Sequence, residues 1–267
     1  MKQYPVIAAL ILFAACNGHK EPDHDDTLIP VATPIIDYTI VAQYPHDTSA
    51  YTQGLQLYNG KLYEGTGDYE TSSLRITDLK TGKVEKKHMM GSDKIFGEGI
   101  NIFKGKIYQL TWENNIVYVY DLNNIDKPIK TLKWPYQGWG LTNNGTDLIV
   151  SDGSSNLYFV NPEDFKVKTT IGVTDNGGPV EQLNELEYID GFVYANVYQS
   201  DFIVKIEPSS GHVVGKIELP GLQQKYFQNQ IVPGRTDVLN GIAYDSLSKK
   251  LYITGKRWPK MFEVVLK

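Results

Sequence analysis

Residues 62–67 read LYEGTG, and variants of that stretch return at 107–112 (IYQLTW), 148–153 (LIVSDG), 193–198 (VYANVY) and 251–256 (LYITGK). The starts are separated by 45, 41, 45 and 58 residues, a period of the length that marks a repeat architecture built from one supersecondary unit. Upstream of each lies a second recurring segment: GLQLYNG (54–60), GINIFKG (99–105), GLTNNG (140–145), ELEYIDG (185–191) and GIAYDSLSKK (241–250). Both segments are rich in β-favouring side chains and joined by Gly or Asn turns, so every unit opens with a hairpin. A third strand follows in SLRITDLKTG (73–82), IVYVYDLNN (116–124), NLYFVNPED (156–164) and FIVKIEPSSG (202–211). A fourth follows that, in KVEKKHM (83–89), PIKTLKW (128–134), KVKTTIGV (166–173) and HVVGKIEL (212–219).

Four antiparallel strands per unit make a propeller blade. The fold expected is all-β, a five-bladed β-propeller over residues 36–267. The fifth unit ends on its third strand, MFEVVLK (261–267). The segment DYTIVAQY (37–44), which precedes the first repeat, is the spare strand that can fill the missing place and shut the ring.

The first residues have a different character. Lys2, an apolar run from Val6 to Ala15 and small residues before Cys16 are the layout of an export signal, too short for a membrane-spanning helix. Ala14-Ala15-Cys16 resembles a bacterial lipobox, with Phe13 where Leu is more usual. The expectation is a lipoprotein signal peptide at 1–15, a lipidated Cys16 and a polar, Pro-punctuated tether at 16–35. The protein is then an exported, membrane-anchored lipoprotein on the periplasmic face or cell surface. Cys16 is the sole cysteine, which excludes an intramolecular disulfide. A net charge of −5 gives no basic field for nucleic acid, and closed sheets make a monomer the expected state.

Equivalent positions of a repeat meet around its axis. Just before the first-strand glycine, or its counterpart Glu185, stand Gln53, Glu98, Trp139, Asn184 and Asn240; at the end of the second strand stand Gly67, Trp112, Gly153, Tyr198 and Lys256. The blade scaffold asks only for small or apolar residues there, so a carboxylate, amides, an amine and large aromatics in register point to a site. Singly each is weak: a Trp in a β protein packs in cores as readily as it lines a pocket, and an amide may serve only the blade backbone.

The stretches YTQGL (51–55), LYEGTGDY (62–69), FGEGI (96–100), QLTW (109–112), GWGLT (138–142), LNELEY (183–188), NVY (196–198), LNGIAYD (239–245) and LYITGKRWPKMFEV (251–264) resemble the plant-type glutaminyl cyclases, or glutamine cyclotransferases. The resemblance runs through all five units. It implies a five-bladed propeller that converts N-terminal glutamine of peptides and proteins to pyroglutamate with release of ammonia, without the catalytic zinc of the animal-type enzymes. It places Glu98 at the catalytic carboxylate position and Gln53, Asn184 and Lys256 at polar site positions. Tyr51, Phe96, Trp112, Trp139 and Tyr198 match the aromatic wall, with Tyr51 and Tyr198 where the family commonly has Phe and Trp.

No cofactor is expected for catalysis, though a structural cation in the channel is left open, and the five histidines (19, 24, 46, 88, 212) show no metal-ligand spacing. Two other readings stand beside this one. A metal-dependent, lactonase-like propeller hydrolase would build its site from Glu and Asn on the axis, and EDTA discriminates it. A non-catalytic binding propeller would not need Glu98. The long step between the fourth and fifth units is an insert at 221–238, either a segment over the channel mouth that helps shape the substrate entrance or a plain connector.

Overall fold

The computed structural model describes residues 32–91 and 93–267; the expected signal segment, Cys16 and the expected tether up to residue 31 lie outside the described residues. Short β-branched and aromatic runs, buried throughout in inner strands such as Gly97–Phe103 and alternating in outer ones such as Val84–Met89, form five antiparallel sheets of four strands. Blade 1 comprises Thr52–Tyr58, Lys61–Thr66, Ser73–Asp78 and Val84–Met89; blade 2 comprises Gly97–Phe103, Lys106–Thr111, Ile116–Asp121 and Lys130–Lys133. Blade 3 comprises Leu141–Asn143, Leu148–Ser151, Asn156–Val160 and Val167–Gly172; blade 4 comprises Leu183–Ile189, Phe192–Val197, Phe202–Ile206 and Val213–Glu218.

Blade 5 is composite. Leu239–Asp245, Lys250–Gly255 and Lys260–Leu266 supply three strands, and Tyr38–Pro45 pairs antiparallel with Lys260–Leu266, from Tyr38 opposite Leu266 to Pro45 opposite Lys260. The expected closing strand is therefore in place, shifted by one residue, and the innermost strands contact one another in an unbroken cycle. Residues just before it are also held: Ile36 N donates to Lys216 O at 2.8 Å, and Lys216 N to Pro34 O at 2.9 Å.

The core is divided among the gaps between blades. Leu74 and Ile100 belong to the cluster between blades 1 and 2, Val119 and Leu148 to that between 2 and 3, Leu157 and Val193 to that between 3 and 4. Ile203 and Phe262 lie between blades 4 and 5, and Leu62 and Met261 between 5 and 1. Each such fully buried apolar side chain contributes about 1.5–3 kcal/mol, so adjacent blades are joined by packing rather than by a shared sheet.

On the axis the repeat has one exception with a function in the fold. The first-strand position that is Gly54, Gly99 and Gly140 in blades 1 to 3 is Glu185 in blade 4. A Cβ at Gly99 would stand 2.5 Å from Trp139 O, which forbids a side chain at that crossing. At Glu185 the carboxylate instead accepts Leu55 N at 3.1 Å and Ile242 N at 2.8 Å, joining blade 4 to blades 1 and 5. Burial holds its pKa well above the usual carboxylate range, as it does for Glu187, pushed up to about 8.

Candidate active site

The polar residues at the axis owe their aim to an irregularity repeated in four blades. Between the first and second strands the register slips at Thr52/Gly54, Gly97/Ile100, Leu183/Leu186 and Leu239/Ile242. Gln53, Glu98, Asn184 and Asn240 lie in these bulges, where a residue freed from the pleat is re-aimed. The second-strand residues sit past the strand end rather than within it, by one position at Gly67, Trp112, Tyr198 and Lys256 and by two at Gly153. There Gly67 N, Trp112 N, Tyr198 N and Lys256 N donate to the carbonyls of Tyr51, Phe96, Gln182 and Val238, at 2.8, 3.0, 2.8 and 2.9 Å. One hydrogen bond thus docks the two site positions of each of these blades together.

The result is a cavity of about 250 Å³ lined by Tyr51, Gln53, Phe96, Glu98, Trp112, Trp139, Asn184, Tyr198 and Lys256. The nine residues that the resemblance assigns to the family's site meet there. Asn240, placed in the same ring by the repeat, does not: it is fully buried and donates Nδ2 to Thr52 O at 2.9 Å, beneath Gln53. The other two second-strand positions, Gly67 and Gly153, make room for rings. A Cβ at Gly153, whose φ is 83°, would stand 2.6 Å from the Trp139 indole.

The wall is a chain of edge-to-face aromatic contacts. Phe96 meets Tyr51 at 6.1 Å and Trp112 at 5.7 Å between centroids, and Trp139 meets Tyr198 at 5.6 Å. The Lys256 ammonium closes the circuit, 4.7 Å from the Tyr51 centroid and 5.1 Å from that of Tyr198. Of the four tryptophans, Trp134 and Trp258 are core, whereas Trp112 and Trp139 are half-buried and face the cavity.

Two residues that sequence reasoning missed hold this wall. Gln137 Oε1 accepts both indole N–H groups, from Trp112 and from Trp139, each at 2.9 Å. Asp237, at the end of the long insert, accepts the Tyr51 hydroxyl at 2.7 Å. Burial, then that hydrogen bond, raise the Tyr51 pKa, so its hydroxyl stays a donor. The insert is thus partly anchor and partly wall: its helix Leu222–Phe227 buries Leu222 and Phe227 against the Trp258 cluster, while its end reaches the site.

Glu98 is 5% exposed, and among the described residues no hydrogen bond from the protein reaches its carboxyl. Burial pushes its pKa well above the usual carboxylate range, opposed by the positive charge of Lys256. Burial also depresses Lys256, to about 8, opposed by Glu98 and Asp237. Lys256 Nζ donates to Gln53 Oε1 at 2.7 Å, and Asn184 Oδ1 is buried without a partner. A high-pKa carboxyl left unbonded beside an amine and two amides, inside an aromatic box, is the kind of arrangement that marks a functional site and is equipped to exchange a proton with a small bound group.

The sequence profile described as glutamine cyclotransferase matches residues 7–266. This chain belongs to the glutamine cyclotransferase family. A glutaminyl-peptide cyclotransferase of Arabidopsis thaliana is 44% identical over 236 residues, 87% of this chain and 72% of that protein. The crystal structure of Myxococcus xanthus glutaminyl cyclase superposes with a TM-score of 0.80 at 34% identity, covering 88% of this chain and 98% of the other. The five-bladed propeller read from the repeat is therefore the family's fold, and the nine cavity residues lie within the span matched by the family profile.

Proposed function

We propose that, in the glutaminyl-peptide cyclotransferase reaction this chain catalyses, Glu98 carries the proton from the attacking α-amine to the departing ammonia. The α-amine nitrogen of an N-terminal glutamine attacks its own side-chain amide carbon. A C–N bond forms, the amide oxygen takes up charge, and the old C–N bond then breaks. The observation that carries the reading is the free, buried Glu98 carboxyl. Raising its pKa brings it towards that of an α-amine, about 7.7–8.0, which is the match efficient general acid/base transfer requires.

The remaining residues have roles suited to their geometry. The flat walls of Phe96, Trp112, Trp139, Tyr51 and Tyr198 fold the glutamine side chain back on its amine, a proximity effect. Lys256, with the amides of Gln53 and Asn184, stabilises the developing oxyanion. No step needs a cofactor. The export-signal layout of residues 1–16 supports an enzyme outside the cytoplasm, tethered to a membrane by acylated Cys16, and the closed ring supports a monomer; a change of Cys16→Ser that leaves it in the membrane fraction would refute the anchor.

The test is ammonia release from a Gln-initiated dipeptide by the protein from about residue 32, with and without EDTA. Metal-independent release with a product about 17 Da lighter is the expected result. Turnover abolished by EDTA would move the reading to the metal-dependent hydrolase, and none from several Gln-initiated peptides to the binding propeller.

A further inference from the structure

Beside the glutamine cavity lies a second of about 420 Å³, lined by Tyr51, Asp68, Phe96, Arg235, Asp237 and Arg257 among others. The two share Tyr51 and Phe96, so they adjoin across those rings. Their chemistry differs: the first is walled by aromatic faces, the second by four charged side chains. Three of those four are engaged. Arg257 is ion-paired with Asp68 and lies over the Tyr51 ring at 4.9 Å. Asp237 accepts from the Tyr51 hydroxyl and from Val238 N at 2.8 Å. Arg235 is exposed, and among the described residues its guanidinium has no hydrogen-bond or ion-pair partner.

A substrate that places its first residue in the aromatic cavity must lead the rest of its chain out from the α-carbonyl. The adjoining cavity is larger and polar, which suits a hydrated peptide backbone with at least one more residue. We propose that it receives the residues that follow the N-terminal glutamine, and that Arg235 selects a carboxylate there. The carboxylate comes from an acidic side chain at the second or third position, or from the C-terminus of a dipeptide. The proposal rests on the cyclotransferase reading and adds its substrate preference. The insert is then a specificity element, since it supplies both Arg235 and the Asp237 that holds the shared Tyr51 ring.

The test compares kcat/KM within two pairs of peptides. Gln-Glu-Ala-amide against Gln-Gln-Ala-amide isolates the side chain, and Gln-Ala against Gln-Ala-amide isolates the terminus. A preference of about two- to fivefold for the carboxylate is expected in at least one pair at low salt, the size of one exposed ion pair, shrinking at high salt. In Arg235→Gln the ratio falls to about one, and in Arg235→Glu below one. A wild-type ratio of one in both pairs, or a preference that survives Arg235→Gln, overturns the proposal. Failure to turn over any of the four peptides would instead sink the cyclotransferase reading on which it rests.

Discussion

Replacing Glu98 by glutamine separates function from stability in a way a structural residue would not. The substitution keeps size and shape, and since no protein group bonds to the carboxyl among the described residues, none is orphaned. Turnover is expected to fall by about 10²- to 10⁴-fold, the contribution of a general acid/base, or about 2.7–5.5 kcal/mol on the barrier. Stability should move the other way. The folded-state pKa of Glu98 is raised above its ordinary 4.5, so the stability it contributes is full below that value and is lost as pH rises through the folded pKa. Glutamine has no such loss. The variant should melt with the wild type near pH 4 and at an equal or higher temperature at pH 8, while releasing ammonia at a hundredth of the rate or less. A variant that keeps more than a tenth of wild-type turnover, or melts several degrees lower at pH 8, would refute the argument.

Lys256→Met should lower kcat about 10- to 10³-fold and remove the alkaline fall in kcat near pH 8, because an amine whose pKa is about 8 loses its charge above that pH; persistence of that limb in a pH profile assigns it to another group. Gln137→Ala frees both indole N–H groups and should raise KM by up to about tenfold, at about 0.5–1.5 kcal/mol per hydrogen bond, with a smaller effect on kcat; an unchanged KM in steady-state kinetics means packing alone sets the rings. Gly153→Ala puts a methyl group into the Trp139 indole at a positive φ and should cost about 1–3 kcal/mol, seen as a melting temperature several degrees lower with a weaker KM; wild-type melting would show that the ring moves freely.

The fold was legible because each blade repeats the same pair of strands around a tight turn, and five copies of a weak pattern make a strong one. The same alignment exposed the site, since residues at one register position of every blade converge on the axis. Its limits follow from the same cause. Asn240 shares the register of Gln53 and Glu98 yet donates to Thr52 O and to Gln53 Oε1 and lines no part of the cavity, because its amide is spent on the neighbouring blade and its own blade is represented in the cavity by Lys256. Gln137, Asp237 and Arg235 are in connections outside the repeat, so no internal comparison could flag them. The second-strand residues, read as strand ends, sit just beyond them, where the chain leaves the pleat and can turn a large side chain inward.

The strand that shuts the ring has a consequence for biosynthesis. Tyr38–Pro45 must wait for Lys260–Leu266 to be made before blade 5 exists, and the cavity draws on side chains from Tyr51 through Lys256. A growing polypeptide therefore carries Glu98 long before it carries Lys256, the amine that completes the cavity. Folding dominated by such distant pairings is slow, and a chain whose ends have not yet paired has no complete cavity. Cyclisation is silent until the chain's two ends have met.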